Sequence, residues 1–322
     1  MTGSFIAVGK EFIDGGRYTA RLYQSCEPGE QTIRLEPGLG WSEGMRIALA
    51  PSGYDSYKFE DVTLASYDNT TGYANLNSPI KHNHYGSLYS DKDGEFQYDM
   101  RTEVGLLTRN IIVQGSLGSN WGGQIFVTEW TNLNTAIVYA GRMILHNVEL
   151  RRLGQFDSLV PGLRIRNIQR HEVKITKCSL HHFEGQGILS ADSRNIQFSE
   201  NVMHRIFRNS IMVRATNDFE MIDNLIIANT VKLGLTSTRD FQVAVDICVG
   251  ERISTCNNLI IQRNIVAGGV GIGYTAPVAD CSSEAAMETS ATTFSNNVAH
   301  SVGAGLIAHI NNAIEQPQCA LV

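Results

Sequence analysis

Three histidines, a scatter of carboxylates and one arginine-rich stretch are the residues whose types and spacing could do chemistry. His181-His182 and His204 fall in segments that align with a shift of 23 residues, so His181 and His204 share one position of a repeating pattern. Two stacked imidazoles could bind a metal ion, because neutral imidazole is a good ligand for divalent transition ions. No third ligand is evident beside them, so the plainer expectation is a solvent-exposed turn, and no metal or other cofactor is assigned. Arg205, Arg208 and Arg214 put three positive charges on one repeat. They form a solvated face, or a place where an acidic group such as a glycan carboxylate docks. Acid–base cleavage of a polysaccharide needs clustered carboxylates on one face. Asp192, Asp218 and Asp223 lie nine, six and one residues before their recurring Asn, so they share no column, and Asp240 and Asp246 add no pair. No catalytic residue is assigned, and the balance leans away from an enzyme.

The element that must position these residues is a repeat. Val173-Lys-Ile-Thr-Lys-Cys178 recurs as Ile196–Asn201 and Phe219–Asn224 at intervals of 23, then as Leu259–Asn264 and Thr292–Asn297 at intervals of 40 and 33. Apolar and polar residues alternate inside each hexamer, the period of a strand. Ile175, Phe198, Met221, Ile261 and Phe294 form one column, and Leu180, Met203, Ile226, Val266 and Ala299 another. Gly187-Ile188, Ser210-Ile211, Gly234-Leu235, Gly271-Ile272 and Gly305-Leu306 mark a further short strand. Units of ~23 residues built from short strands and tight turns are coils of a right-handed parallel β-helix, stacked ~4.8 Å apart. The column Cys178, Asn201, Asn224, Asn264 and Asn297 is then a buried ladder, with amides bonding to the amides above and a thiol closing the row. The segments Asn110–Gly115 and Arg142–Asn147 look like earlier, weaker coils.

The surplus in the two long intervals is placed at 236–258 and 274–291, loops that leave the same corner of neighbouring coils. Cys248 and Cys256 lie in the first and Cys281 in the second. Either Cys281 bridges to one of that pair across the loops, or Cys248 and Cys256 join locally, given an oxidising compartment. These loops are also the natural partner-facing surface, since they break the regular wall.

Composition narrows the function classes. The 322 residues carry 26 Lys+Arg against 32 Asp+Glu, a net charge of −6, which argues against a nucleic-acid partner. No apolar run approaches the ~20 residues of a membrane helix, so no membrane contact is expected of this segment. Gly is abundant at 30 and Pro scarce at 7, as a ladder that cannot spare amides requires.

Several segments carry a family resemblance. Gly3–Lys10, Thr32–Glu36, and Gly40–Pro51 followed by Tyr54 and Glu60 resemble the later half of a G8 domain. His84-Tyr-Gly86 and the run from Glu103 to Gly115 continue it, the latter being its most specific part. Gly122–Ile125 and Val148–Gln155 extend it into parallel β-helix repeats. This arrangement resembles the fibrocystin and fibrocystin-like family and, more distantly, the hyaluronan-degrading proteins of the CEMIP branch. The resemblance implies a G8-like β segment over 1–120 and β-helix repeats over 121–322. It also implies a fragment of a larger extracellular, cell-surface or ciliary protein, which explains the lack of a signal peptide. The expected role is that of a rigid spacer or adhesion surface, whose partners are the rest of the parent chain and a protein or glycan ligand. An open coil end gives a route to end-to-end self-association. The alternative is a carbohydrate-active enzyme on hyaluronan or a related acidic polysaccharide. Arg164 and Arg166 stand where the hyaluronan-degrading branch has a His-x-His motif, and arginine cannot serve as a neutral base. His84 belongs to the G8 pattern, with a structural role. Asn69-Thr-Thr71 is a glycosylation sequon.

Overall fold

The alternating hexamers form strands, and their columns stack. A computed structural model describes residues 3–11, 16–116, 121–156, 158, 160–230, 242–249, 256–280 and 292–311. Among these there is no α-helix. Ile175, Phe198, Met221, Ile261 and Phe294 pair one above another in parallel. Leu180, Met203, Ile226, Val266 and Ala299 do the same in a second wall. The chain is a parallel β-helix with a twelve-stranded wall and a seven-stranded wall. Inward residues of both, such as Leu180, Phe198, Met203 and Met221, form one apolar core along the axis.

The corners are made by single residues in the left-handed region. Two such corners five positions apart flank each of six rungs of the seven-stranded wall: Asn147 and Arg152, Lys177 and His182, Glu200 and Arg205, Asp223 and Ala228, Arg263 and Gly268, Asn296 and Ser301. One left-handed residue turns the chain sharply, and the three strand residues between two such corners form one rung of the seven-stranded wall.

A six-stranded antiparallel sheet docks against that wall. Its order is Thr19–Arg21, Glu103–Leu106, Arg46–Leu49, Glu60–Tyr67, Tyr73–Leu76, Thr32–Arg34. It has its own core, with Leu22, Leu35, Ile47, Leu64 and Leu106 fully buried. Tyr18, Ala48, Ala50 and Leu107 pack onto Val202, Leu225, Ile227 and Ala267 of the helix. The approach is close at Gly105, where a Cβ would stand 2.5 Å from Val202 Cγ1.

The structure redraws several boundaries taken from the sequence. Ser4–Val8 pairs in parallel with Arg142–His146, so this early strand belongs to the β-helix and the division at residue 120 does not separate two consecutive bodies. Ile111–Gln114 pairs with Val148–Arg151 in the seven-stranded wall, not in the hexamer wall. In the Arg142–His146 coil the ladder position falls on Val148, because Leu145 stacks on Ile175, and Asn147 is instead the left-handed corner. The strand above Ile211 is Val243–Ile247, with Val245 in register, inside the stretch taken as an insertion. Tyr274, not Ile272, continues that column to Leu306, and the strand Ile272–Asp280 overlaps the second presumed loop. Gly-apolar dipeptides recur too often in this chain to fix register alone. Gly234 and Leu235 lie outside the described residues.

Candidate functional site

Docking turns one outer face of the helix into an interior. The strands Ser179–His181 and Val202–His204 are buried on both faces, inward against the helix core and outward against the six-stranded sheet. His181 stacks on His204, and the two are 1% and 0% exposed. The exposed turn expected for them is therefore incorrect: they occupy strand positions under the docked sheet. His182, on the left-handed corner at φ 53°, points to the edge of the interface with its side chain 29% exposed. From the opposite side the strand Glu60–Tyr67 brings Asp61, 28% exposed.

These groups form a chain of polar contacts. Glu149 Oε1 lies 3.1 Å from His181 Nε2. His181 Nδ1 faces His182 Nδ1 at 2.8 Å. His182 Nε2 lies 2.8 Å from Asp61 Oδ2. Two neutral imidazoles carry two protons, so one of these three contacts lacks a proton. Cations stand at both ends. Arg46 Nη2 is 2.9 Å from Glu149 Oε1 and 3.2 Å from His181 Nε2. Arg205 Nη1 is 3.3 Å from His182 Nε2 and 3.7 Å from Asp61. His204 Nε2 also touches Asp61 Oδ1, yet neither ring nitrogen of this buried histidine has a partner in hydrogen-bonding geometry. Phe59 meets the His204 ring edge-on at 5.5 Å between centroids.

Charge states follow from these surroundings. Burial pushes the His181 imidazole down to about 4, against the pull of Glu149. Burial also lowers His182, partly offset by its contact with Asp61. Burial opposes ionisation of Asp61, but the His204 and His182 imidazoles outweigh it and hold the carboxyl well below the ordinary range. Near neutrality the cluster therefore offers an ionised carboxylate and neutral imidazoles at His181 and His182. The donor atoms of Asp61, His182 and His204 lie within 4.8 Å of one another, a ligand set of two imidazoles and one carboxylate.

The other residues singled out in the sequence are dispersed. Arg205 belongs to this cluster, whereas Arg214 sits in the twelve-stranded wall paired with Asp246 at 2.7 Å, and Arg208 lies in the turn between them. The three are not one patch. Arg166 pairs with Asp192 at 3.4 Å, and Arg164 lies over Phe126. His84 is buried between the Ala50 carbonyl at 3.0 Å and Glu60 at 3.2 Å. Asn69 is exposed, and its Oδ1 accepts from the Gly40 amide at 2.9 Å.

In the ladder, Asn201 Nδ2 donates to Asn224 Oδ1, Asn224 Nδ2 to Asn264 Oδ1, and Asn264 Nδ2 to Asn297 Oδ1, each at 2.9 Å. The Cys178 amide donates to Asn201 Oδ1, and the Val148 amide meets Cys178 Sγ at 3.5 Å. Cys248 is joined to Cys256, the local pairing of the two alternatives. Cys281 lies outside the described residues.

Sequence reasoning missed Asp61, Glu149 and Arg46. Asp61 stands more than 100 residues from the histidines in a different sheet, and no spacing rule links the two. The paired His181-His182 was the available signal, since its two rings serve the two ends of one polar chain.

A six-stranded antiparallel sheet docked on the wall of a parallel β-helix is the class these features define. No protein-family model matches the chain. It is 24% identical over 319 residues to Fibrocystin-L of Mus musculus, and 25% identical over 295 residues to Fibrocystin of Canis lupus familiaris. These alignments cover 95% and 92% of the chain but 7% of each relative. A cell surface hyaluronidase of Danio rerio is 26% identical over 172 residues, 44% of the chain and 11% of that protein. Among solved structures, a tailspike of an Acinetobacter baumannii bacteriophage in complex with capsular saccharide aligns over 96% of the chain and 58% of its own. Its TM-score to the chain is 0.23, at 10% sequence identity. The chain is thus similar over most of its length to fibrocystin and fibrocystin-like proteins, and over less than half of it to a G8 domain-containing protein and a cell surface hyaluronidase.

Proposed function

We propose that this chain is a non-catalytic structural or binding module of a larger fibrocystin-like cell-surface or ciliary protein, working outside the cell as a stiff spacer or adhesion surface. The observation that carries this reading is the unbroken stack: the seven-stranded wall runs from Ile111–Gln114 to Val298–His300 with the six-stranded sheet locked across it. Consecutive coils joined by backbone bonds and a continuous core resist bending, and a second domain docked along the wall adds to that. The outer face of the hexamer wall offers a groove of about 530 Å³ lined by Arg142, Lys174, Glu172, Gln197 and Glu220. Its mixed charge suits a glycan or a protein loop better than a single strongly anionic chain.

Incubating the purified chain with hyaluronan, with and without calcium or zinc, and sizing the products tests the non-catalytic assignment. Unchanged polymer length supports it. The second reading, a carbohydrate-active enzyme on hyaluronan, draws on the likeness to the hyaluronidase branch. Depolymerisation that disappears on changing His181 or His204 establishes it and overturns the first. Secretion in a glycosylating host, followed by enzymatic deglycosylation, tests extracellular routing through a mass shift abolished by Asn69→Gln.

A further inference from the structure

We propose that Asp61, His182 and His204 form a binding site for one divalent transition ion, zinc in the first instance, which pins the six-stranded domain to the β-helix. The site draws Asp61 from one body and both histidines from the other, with all donor atoms within 4.8 Å of one another.

Three observations point to an ion. His204 is fully buried, and neither of its ring nitrogens has a hydrogen-bond partner although Nε2 stands against the Asp61 carboxylate. A buried unpaired polar group is costly, so a ligand there removes a penalty. The chain Glu149–His181–His182–Asp61 has three contacts and two protons, and an ion at its Asp61 end takes the place of the missing proton. Finally, the His182 tautomer suits ligation. With its proton on Nδ1, directed at His181 Nδ1, His182 presents an unprotonated Nε2 to Asp61, the contact that an ion would bridge. His181 in turn directs its Nε2 proton at Glu149. A carboxylate and a second histidine thus orient the ligating ring from behind, the usual outer-shell support of a metal-bound imidazole.

The ligand set argues for the class of ion. Two imidazoles and one carboxylate suit zinc and its first-row neighbours and lack the six to eight oxygens calcium takes. Ligand atoms on a tetrahedral zinc lie about 3.3 Å apart, given bonds of about 2.0–2.1 Å, so the 2.8 Å contact of Asp61 with His182 lengthens slightly on loading. Arg205, 41% exposed at the rim, can swing outward to leave the fourth position to water or to an anionic group.

The test uses the full untagged chain, stripped with a chelator and titrated with zinc, cobalt(II) or calcium. The expected result is one equivalent of zinc or cobalt per chain. Cobalt should give visible bands of a four- or five-coordinate nitrogen–oxygen site, and zinc should raise the melting temperature. Asp61→Asn and His182→Gln sit at the rim, so both variants should fold, Asp61→Asn with a lower metal-free melting temperature because it removes a carboxylate that the fold holds ionised. Each should lose the cobalt bands and bind at least about 100-fold more weakly, a loss no smaller than that of an outer-shell partner. Glu149→Gln should keep the band positions and weaken binding about 10–100-fold, the mark of a positioning residue. Absence of cobalt bands in the parent chain overturns the proposal. So do bands that persist in both rim variants, or calcium binding as tight as zinc.

Discussion

Replacing Asn224 by alanine should destabilise the chain far more than the same change at Asn297, although both are rungs of one ladder. Asn224 Oδ1 accepts from the Asn201 backbone amide at 3.0 Å and from Asn201 Nδ2 at 2.9 Å. Its Nδ2 donates to the Phe198 carbonyl at 3.0 Å and to Asn264 Oδ1 at 2.9 Å. Asn201 and Asn224 are buried at 0% and 1% exposure, so no water replaces the lost partner. Alanine therefore orphans at least two donors on Asn201, at about 1–3 kcal/mol each. The expected loss is about 3–5 kcal/mol, a large share of the 5–15 kcal/mol typical of a folded domain. Asn297 accepts the equivalent pair from Asn264 but is only half-buried. Asn264 is itself 0% exposed, but truncating the half-buried Asn297 opens a path for water to its donors, and about 1 kcal/mol is expected. Urea unfolding followed by circular dichroism measures both variants, with an unchanged m-value showing that midpoints report stability. Equal losses at the two positions, or a loss below about 1 kcal/mol at Asn224, refute the claim that burial of the amide row governs coil stacking.

Stability should fall on acidification in chelator. His181 titrates at about 4 when folded against 6.5 as a free group, so between those values the unfolded chain takes up the proton first. Its contribution of about 3 kcal/mol is complete above the unfolded value and is lost as pH falls toward the folded one. The depressed Asp61 adds a loss of the same sign at lower pH. Urea midpoints that do not move between neutral and mildly acidic pH would sink this. Gly105→Ala places a methyl 2.5 Å from Val202 Cγ1 and should cost about 1–3 kcal/mol, recovered in part by Val202→Ala. A Gly105→Ala melting curve identical to the parent's would show that the two bodies are not in that contact. The thiols of Cys178 and Cys26 are pushed up by burial to about 11 and about 12. Both should resist alkylation in the folded chain and react only in denaturant; rapid native-state labelling of either contradicts its burial.

The sequence by itself determined the repeat and what it forces. Period-2 hexamers at a fixed interval bury the same column in every coil, and a recurring Asn beside that column has only its copies above and below to bond with. Those features are local and are copied from unit to unit, so Ile175, Phe198, Met221 and Ile261 align on the page as they do in space. Most left-handed corners were not legible, because residues such as Lys177, Glu200 and Arg263 are not turn-formers; stacking imposes that conformation on them. Nor did dipeptide matches fix the register beside the long insertions, where Val245 takes the place expected of Leu235. The candidate site was half legible. His181 and His204 shared a column on the page, but their burial and their third partner exist only because a six-stranded sheet drawn from residues 19–106 docks on that wall. Docking is a long-range event with no period in the sequence: it removes water from two histidines, brings Asp61 against them, and makes a site of what would otherwise be a solvated face.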